Sequence, residues 1–321
     1  ARPGAALQLV QHRRIVLLHE VSFVSGAQEQ ACNTANWTEV YSGLAQATAL
    51  PIGDCRLNRE YLPLDSVLHP PVGNAASPYH RNHDYRIVAA NSQSFGEASV
   101  WRALAETQPR LETVELHAGP LGPSERHALV RALVRDGTCL YAYTTSVSQA
   151  QIMSFARTLG LRTLDQTLTA SPDTLTTIGV STDARKSNYV PYSPRPLGWH
   201  TDGYYNEPGA EVRVFLLHCV QPASEGGYNQ FVDPRRVFAR VAASNADYVE
   251  ILSASNCLTI PANISDGRTV RAEISVPVFA LADDTTLLTR YTERKHNAIW
   301  SQAALDSGAW QALHDAIRAE A

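Results

Sequence analysis

RPLGWHTDGYYN, residues 195–206, is the stretch on which the reading of this chain turns. At its centre stand His200 and Asp202, two residues apart. In an extended strand that spacing sends both side chains out of the same face, so they can grip one ion together. An imidazole and a carboxylate, joined by a second imidazole from elsewhere in the chain, form the facial triad that leaves positions open on Fe(II). His-x-Asp alone is a weak pattern, because an Asp can equally serve to orient a neighbouring His. The flanking sequence has to decide.

Downstream, Val212–Val220 reads as a strand, followed by a double glycine at Gly226-Gly227 and a further strand near Gln230–Val232. Glycine in such a turn lets backbone approach a ligand where a Cβ would intrude, although an ordinary hairpin uses it as well. Asp233-Pro234 caps a helix through Val241, and a second helix begins near Asn245. Strands are expected at Cys257–Ile260, Thr269–Val278 and Leu287–Tyr291, with a third helix from Ser301 to the end. Upstream, Val114–His117 alternates like a strand. Gly122-Pro123-Ser124-Glu125 opens a helix that Gly137 stops, Thr138–Tyr143 reads as a strand, and Ser148 with Gln151 forms a capping box for a helix over Gln149–Leu159. Another strand is expected at Leu175–Val180. Many short strands with helices inserted or packed outside predict an α+β fold of the jelly-roll type with flanking helices.

The first hundred residues read differently. An alternating segment covers Arg14–Val24, and VLHPPVGNAASPYHRNHDYR, residues 67–86, has the proline and glycine content of a long loop. His80 and His83 could face one another as ligands there, though loop histidines are more commonly exposed. The chain is therefore divided into an N-terminal region of unknown type, 1–108, and a catalytic-type domain, 109–321.

Of 321 residues, 27 are Lys or Arg and 31 are Asp or Glu, a formal net charge of −4. That balance predicts neither a nucleic-acid nor an anionic-membrane partner. No apolar run reaches the length of a membrane helix, and Ile15–Leu18 is too short for a signal-peptide core. The five cysteines, Cys32, Cys55, Cys139, Cys219 and Cys257, are an odd number without a CxxC pair, which fits a reducing cytoplasm better than a disulfide framework. Asn36-Trp37-Thr38 matches a glycosylation acceptor, a triplet that chance often supplies. A small-molecule substrate is the expected partner, and a homo-oligomer is left open.

On RPLGWHTDGYYN, FLLHCVQPASEGGYNQFVD, LTIPANISDGRTVR and RYTERKHNAIW, the chain resembles the taurine dioxygenase (TauD/TfdA) family of Fe(II)- and 2-oxoglutarate-dependent oxygenases, near its gamma-butyrobetaine-hydroxylase-like members. The likeness spans about residues 111–300. It implies a double-stranded β-helix, Fe(II) held by His200 and Asp202, and 2-oxoglutarate as cosubstrate. Asn229 sits where relatives place a small polar residue beside the cosubstrate, and Arg195 could pair with an anionic group of substrate or cosubstrate. Arg213 and Arg290 are further candidates of that kind, each equally able to make a structural ion pair. Trp199, Tyr204 and Tyr205 could wall a substrate pocket or, for at least one of them, pack in the core.

Two other histidines invite attention as ligands. His218 lies in a strand and is better read as a satisfied buried residue, while His296 follows three charged residues and looks exposed. The family pattern would continue past the last helix into strands bearing a distal histidine and a cosubstrate-binding arginine. Their lack predicts either a native protein that continues beyond Ala321 or a degenerate homologue that holds iron poorly. It also predicts a site with fewer ligands than the full triad and a sheet edge that the first hundred residues could cover. The two functions in competition are a dioxygenase hydroxylating a small-molecule C–H bond and a non-catalytic homologue that binds a ligand or partner. A cupin-like metal hydrolase would need more histidines beside His200.

Overall fold

The computed structural model describes residues 14–19, 23–27, 36–42, 113–161, 164, 175–187, 189–212, 214–221, 223, 228–265, 267–282 and 286–321. Its largest sheet has six strands, in the order β4 (Thr113–Leu116), β5 (Thr138–Tyr143), β1 (Arg14–His19), β8 (Val214–Gln221), β3 (Asn36–Ser42) and β6 (Thr176–Ile178). Only β4 and β5 run parallel; every other neighbour in this sheet is antiparallel. β1 and β3 flank β8 on its two sides, with Val16 opposite Leu217 and Thr38 opposite His218. A second sheet sets β2 (Phe23–Ala27) between β7 (Leu197–His200) and β9 (Tyr228–Val232), pairing Val24 with His200 and Gly26 with Asn229. N-terminal strands thus occupy ladder positions inside the sheets, where the sequence showed only an alternating run at Arg14–Val24 and gave no strand at β3.

Local rules account for the helices. α1 (Pro123–Asp136) starts with proline, and Glu125 Oε2 accepts the Gly122 N–H at 2.7 Å. Gly137, at φ 69°, ends it in the left-handed region and donates its N–H to Leu133 O. α2 (Gln149–Thr158) carries the Ser148/Gln151 capping box, and α3 (Ala184–Ser187) is a single turn. α4 (Pro234–Ser244) is capped by Asp233, whose Oδ1 accepts the Arg235 N–H at 2.9 Å, and α5 (Ala246–Leu252) follows at Asn245. The helix expected from Ser301 onward is two helices, α6 (Gln302–Ser307) and α7 (Ala309–Glu320), because Gly308 adopts φ 83° and breaks the helical path.

The strand expected over Thr269–Val278 is likewise two. β12 (Arg268–Arg271) turns back on β11 (Asn263–Ser265), whereas β13 (Ile274–Val276) joins β10 (Leu258–Ile260) and β16 (Ile299–Trp300). β14 (Phe279–Ala282) and β15 (Thr286–Thr289) make a separate pair. The architecture is mixed α/β with several small sheets. Among the described residues no helix is long and apolar enough to cross a membrane.

Among the described residues, two apolar clusters form the core. One gathers Leu116, Leu129, Tyr141, Phe155 and Leu216 under α1 and α2. The other joins Trp199 of β7 to Val237 and Phe238 of α4, Phe279, Tyr291 and Leu313 of α7. Burial of this second set ties the strand bearing His200 to the C-terminal helices, each large side chain contributing about 1.5–3 kcal/mol. Across the same helices, buried Glu320 accepts Arg236 Nε at 2.6 Å and pairs with Arg240 on its other oxygen.

Candidate functional site

β7 ends at His200, and Asp202 is the first residue of the turn 202–205. The two side chains nonetheless meet: His200 Nε2 lies 3.7 Å from Asp202 Oδ1, with about a seventh of each side chain exposed. Their proximity comes from a strand running into a tight turn, not from alternation along an extended strand. Gly203 makes that turn at φ 65°, and a Cβ there would stand 2.6 Å from Val212 Cγ2. Trp199 and Thr201, the neighbours of His200 in sequence, are buried.

The segment 290–293 holds β7 from the side. Thr201 N–H donates to Tyr291 O at 3.0 Å, and Glu293 N–H donates to Trp199 O at 2.8 Å. The Thr201 hydroxyl accepts the Tyr291 N–H at 3.1 Å, and His200 bridges Thr292 antiparallel. Within this frame His200 Nδ1 sits 2.9 Å from Gly198 O. A carbonyl can only accept, so Nδ1 carries the proton and the lone pair of neutral His200 lies on Nε2, the nitrogen beside Asp202. An imidazole lone pair and a carboxylate at this separation fit two donor positions around one small cation. Among the described residues, no group of three or more His, Cys, Asp and Glu gathers to hold a metal ion.

His218 is buried in the other cluster, with Nδ1 3.4 Å from the Tyr141 hydroxyl. Burial pushes its pKa down to about 4, so it is neutral there at ordinary pH. His296 is exposed in the 3-10 turn Lys295–Asn297. Asn229 is half-buried on β9, in the same sheet as β7 with β2 between them. Arg195 is exposed and donates from Nε to Ser193 Oγ at 3.0 Å. Arg213, Gly226, Gly227, His80 and His83 lie outside the described residues.

Arg290 is buried beneath the turn. Its guanidinium donates to Glu211 Oε1 at 2.9 Å, to Tyr204 O at 3.1 Å and to Asn206 O, and burial lowers its pKa against the opposing pull of Glu211. Those three acceptors fix the backbone that follows Asp202. Tyr204 is buried, and its hydroxyl accepts Asn297 Nδ2 at 2.8 Å. Tyr205 packs edge-on against it at 5.1 Å, under the guanidinium of Arg271 at 5.5 Å.

Sequence reasoning passed over Arg271, Glu293 and His314. Glu293 accepts the Trp199 N–H at 3.0 Å through Oε2, while its Oε1 faces His314 Nε2 at 3.7 Å and Arg318 Nη2 at 3.6 Å. The Tyr291 hydroxyl meets His314 Nδ1 at 2.7 Å, and Trp310 stacks on the His314 ring. Burial lowers the pKa of His314 and raises that of Tyr291. Only the position of Glu293 inside RYTERKHNAIW could have flagged it, since its contacts lie far away in sequence.

The family described as "Taurine catabolism dioxygenase TauD, TfdA family" matches residues 102–321. A uridine-5'-phosphate dioxygenase of Amycolatopsis sp is 30% identical over 120 residues, covering 37% of this chain and 42% of that protein. One from Streptomyces sp is 32% identical over 125 residues, covering 38% and 42%. The matched stretch is thus less than half the length of either relative. No solved structure matches with significance.

Proposed function

We propose that this chain, which belongs to the TauD/TfdA family, is an Fe(II)- and 2-oxoglutarate-dependent dioxygenase that hydroxylates a C–H bond of a small molecule. The observation that carries the reading is the His200–Asp202 pair, with Nε2 and the carboxylate Oδ1 3.7 Å apart at the end of a core-anchored strand. In the overall reaction a substrate C–H, dioxygen and 2-oxoglutarate give C–OH, succinate and carbon dioxide. Bound Fe(II) supplies the redox chemistry; the protein supplies placement. His200 and Asp202 are the donors, Arg290 and Gly203 shape the turn that aims Asp202, and buried Trp199 anchors the strand.

The finer assignments are part of the same proposal. Asn229 and Arg195 contact the cosubstrate, Tyr204 and Tyr205 border the substrate, Arg213 is a further candidate for binding an anionic group, and the small sheets are the family's double-stranded β-helix. The division into 1–108 and 109–321 is one of sequence, since strands 14–19, 23–27 and 36–42 pair within the sheets of the second part; a reducing cytoplasm is the proposed setting. The two relatives are named for uridine-5'-phosphate, which makes that nucleotide the first substrate to try.

Purified protein with Fe(II), 2-oxoglutarate and uridine-5'-phosphate should yield succinate, and Asp202→Ala should abolish it by removing a ligand's charge and geometry. Equal succinate from wild type and Asp202→Ala rejects the reading. The second reading is a non-catalytic homologue of the family that binds a ligand or partner. That reading gains if wild type binds 2-oxoglutarate or nucleotide yet makes no succinate.

A further inference from the structure

One peptide group connects two side chains that the sequence keeps far apart. The carbonyl of the Gly198–Trp199 peptide accepts from His200 Nδ1 at 2.9 Å, and the N–H of the same peptide donates to Glu293 Oε2 at 3.0 Å. Carboxylate, amide and imidazole therefore form a single hydrogen-bonded chain. A negative charge on the N–H side of an amide draws the proton and leaves the carbonyl oxygen richer in charge, so the bonds in such a chain strengthen one another. Metal-bound histidines commonly give their other N–H directly to a carboxylate or a carbonyl, which fixes the tautomer and makes the coordinating nitrogen more basic. Here the carbonyl would do this with a carboxylate behind it.

The residue at 198 is suited to that geometry. A Cβ on Gly198 would lie 2.8 Å from Glu293 Oε2 and 3.2 Å from Glu293 Cβ, so the carboxylate approaches the strand over a surface that only glycine leaves clear. The far oxygen of Glu293 is steadied from α7 by His314 and Arg318, and His314 is in turn held by the Tyr291 hydroxyl. The backbone N–H of Glu293 also binds Trp199 O, which gives the side chain a fixed origin on the strand it serves.

We propose that Glu293 is a positioning residue for His200, acting through the Gly198–Trp199 peptide to hold the proton on Nδ1 and keep the Nε2 lone pair free for a metal ion. Its value for metal binding rests on the reading of His200 as a donor; its effect on the tautomer does not.

The test uses metal-free protein carrying 15N-labelled histidine, at about pH 8, where an ordinary imidazole is neutral. In wild type, His200 should show a protonated Nδ1 with a downfield proton and a bare Nε2. Glu293→Ala should give a mixture of tautomers. Glu293→Gln keeps an acceptor for the Trp199 N–H but loses the charge, so the Nδ1 proton should move upfield. Cobalt(II) titration followed by absorption should show binding weakened about tenfold in Glu293→Ala and less in Glu293→Gln, toward the lower end of what partners of metal ligands contribute. If Glu293→Ala does not fold, the Glu293→Gln proton shift decides. A proton on Nε2 of wild-type His200, or an unmoved Nδ1 proton in the variants that fold, overturns the proposal. If wild type fails to bind cobalt(II), the donor reading falls while the histidine spectra still judge Glu293.

Discussion

Replacing Arg290 with alanine tests the backbone support of the site most directly. Arg290 is 6% exposed, and its guanidinium serves three acceptors, Glu211 Oε1, Tyr204 O and Asn206 O. Removing one partner of a buried ion pair costs about 3–5 kcal/mol, because the remaining charge stays desolvated. Each carbonyl left unpaired would add about 1–3 kcal/mol if water could not reach it. Glu211 retains a side-chain exposure of 14%, however, and a cavity the size of an arginine admits water, so these costs overlap. The expected loss is about 4 kcal/mol. With a urea dependence of about 3 kcal/mol/M, that moves the unfolding midpoint down by roughly 1.3 M. Arg290→Lys should recover less than half, since an ammonium cannot span a carboxylate and two carbonyls with the planar fork. A cycle with Glu211→Gln should give a coupling above about 1 kcal/mol. An Arg290→Ala midpoint within about 0.3 M of wild type would refute the claim that this residue holds the turn.

Two further outcomes follow from single positions. Gly203→Ala should cost about 2 kcal/mol, from left-handed backbone at φ 65° and a Cβ 2.6 Å from Val212 Cγ2, and trimming Val212 to alanine in the same chain should relieve only the steric share; urea melts of the single and double variants check this. His218 has its folded pKa lowered to about 4 from an ordinary 6.5, so the unfolded chain binds the extra proton between those values and stability must fall as pH drops through that window. Between pH 7 and pH 5 this contributes a loss of about 2 kcal/mol, which should be absent from His218→Gln when both proteins are melted at each pH.

Local signals were the legible part of the fold. Pro123 with Glu125, Gly137, the Ser148–Gln151 box and Asp233-Pro234 all mark helix ends within a few residues of where they fall. Their energetics are contained in one turn of chain, so the sequence states them outright. Breaks set by a single glycine or by partner choice were harder. Gly308 splits the last helix, yet glycine inside an apolar helical pattern is often tolerated. Thr269–Val278 read as one strand; the split between β11's partner and β10's partner depends on which edge each half meets. β3 went unread for a related reason, its place being set by pairing with β8 across a long sequence separation.

At the site, residue types were legible and supports were not. His-x-Asp named its two residues from spacing, although the spacing works through a turn. Arg290 stood out as a cation on a strand, but nothing local said that Glu211 and two carbonyls would claim it. Glu293 looked like one charge among three in a row. Its role depends on the Trp199 N–H, ninety-four positions away, and on the missing Cβ of Gly198.

The four residues Arg290-Tyr291-Thr292-Glu293 show why one short segment can govern this site. Each meets the His-x-Asp strand or its turn by a different means. Arg290 reaches past the strand to the backbone after Asp202, Tyr291 exchanges backbone and hydroxyl bonds with Thr201, Thr292 bridges His200, and Glu293 takes the N–H of the preceding peptide. A strand of four residues has little rigidity of its own, and β7 meets β2 with an irregular register between Val24 and Gly26. Geometry at His200 and Asp202 must therefore come chiefly from the 290–293 side. That segment is itself fixed by the core through Tyr291 and by α7 through His314 and Arg318. Loosening α7 should consequently disturb the donor pair before it disturbs the other cluster, around Tyr141 and Phe155, which among the described residues includes none of Tyr291, His314 and Arg318.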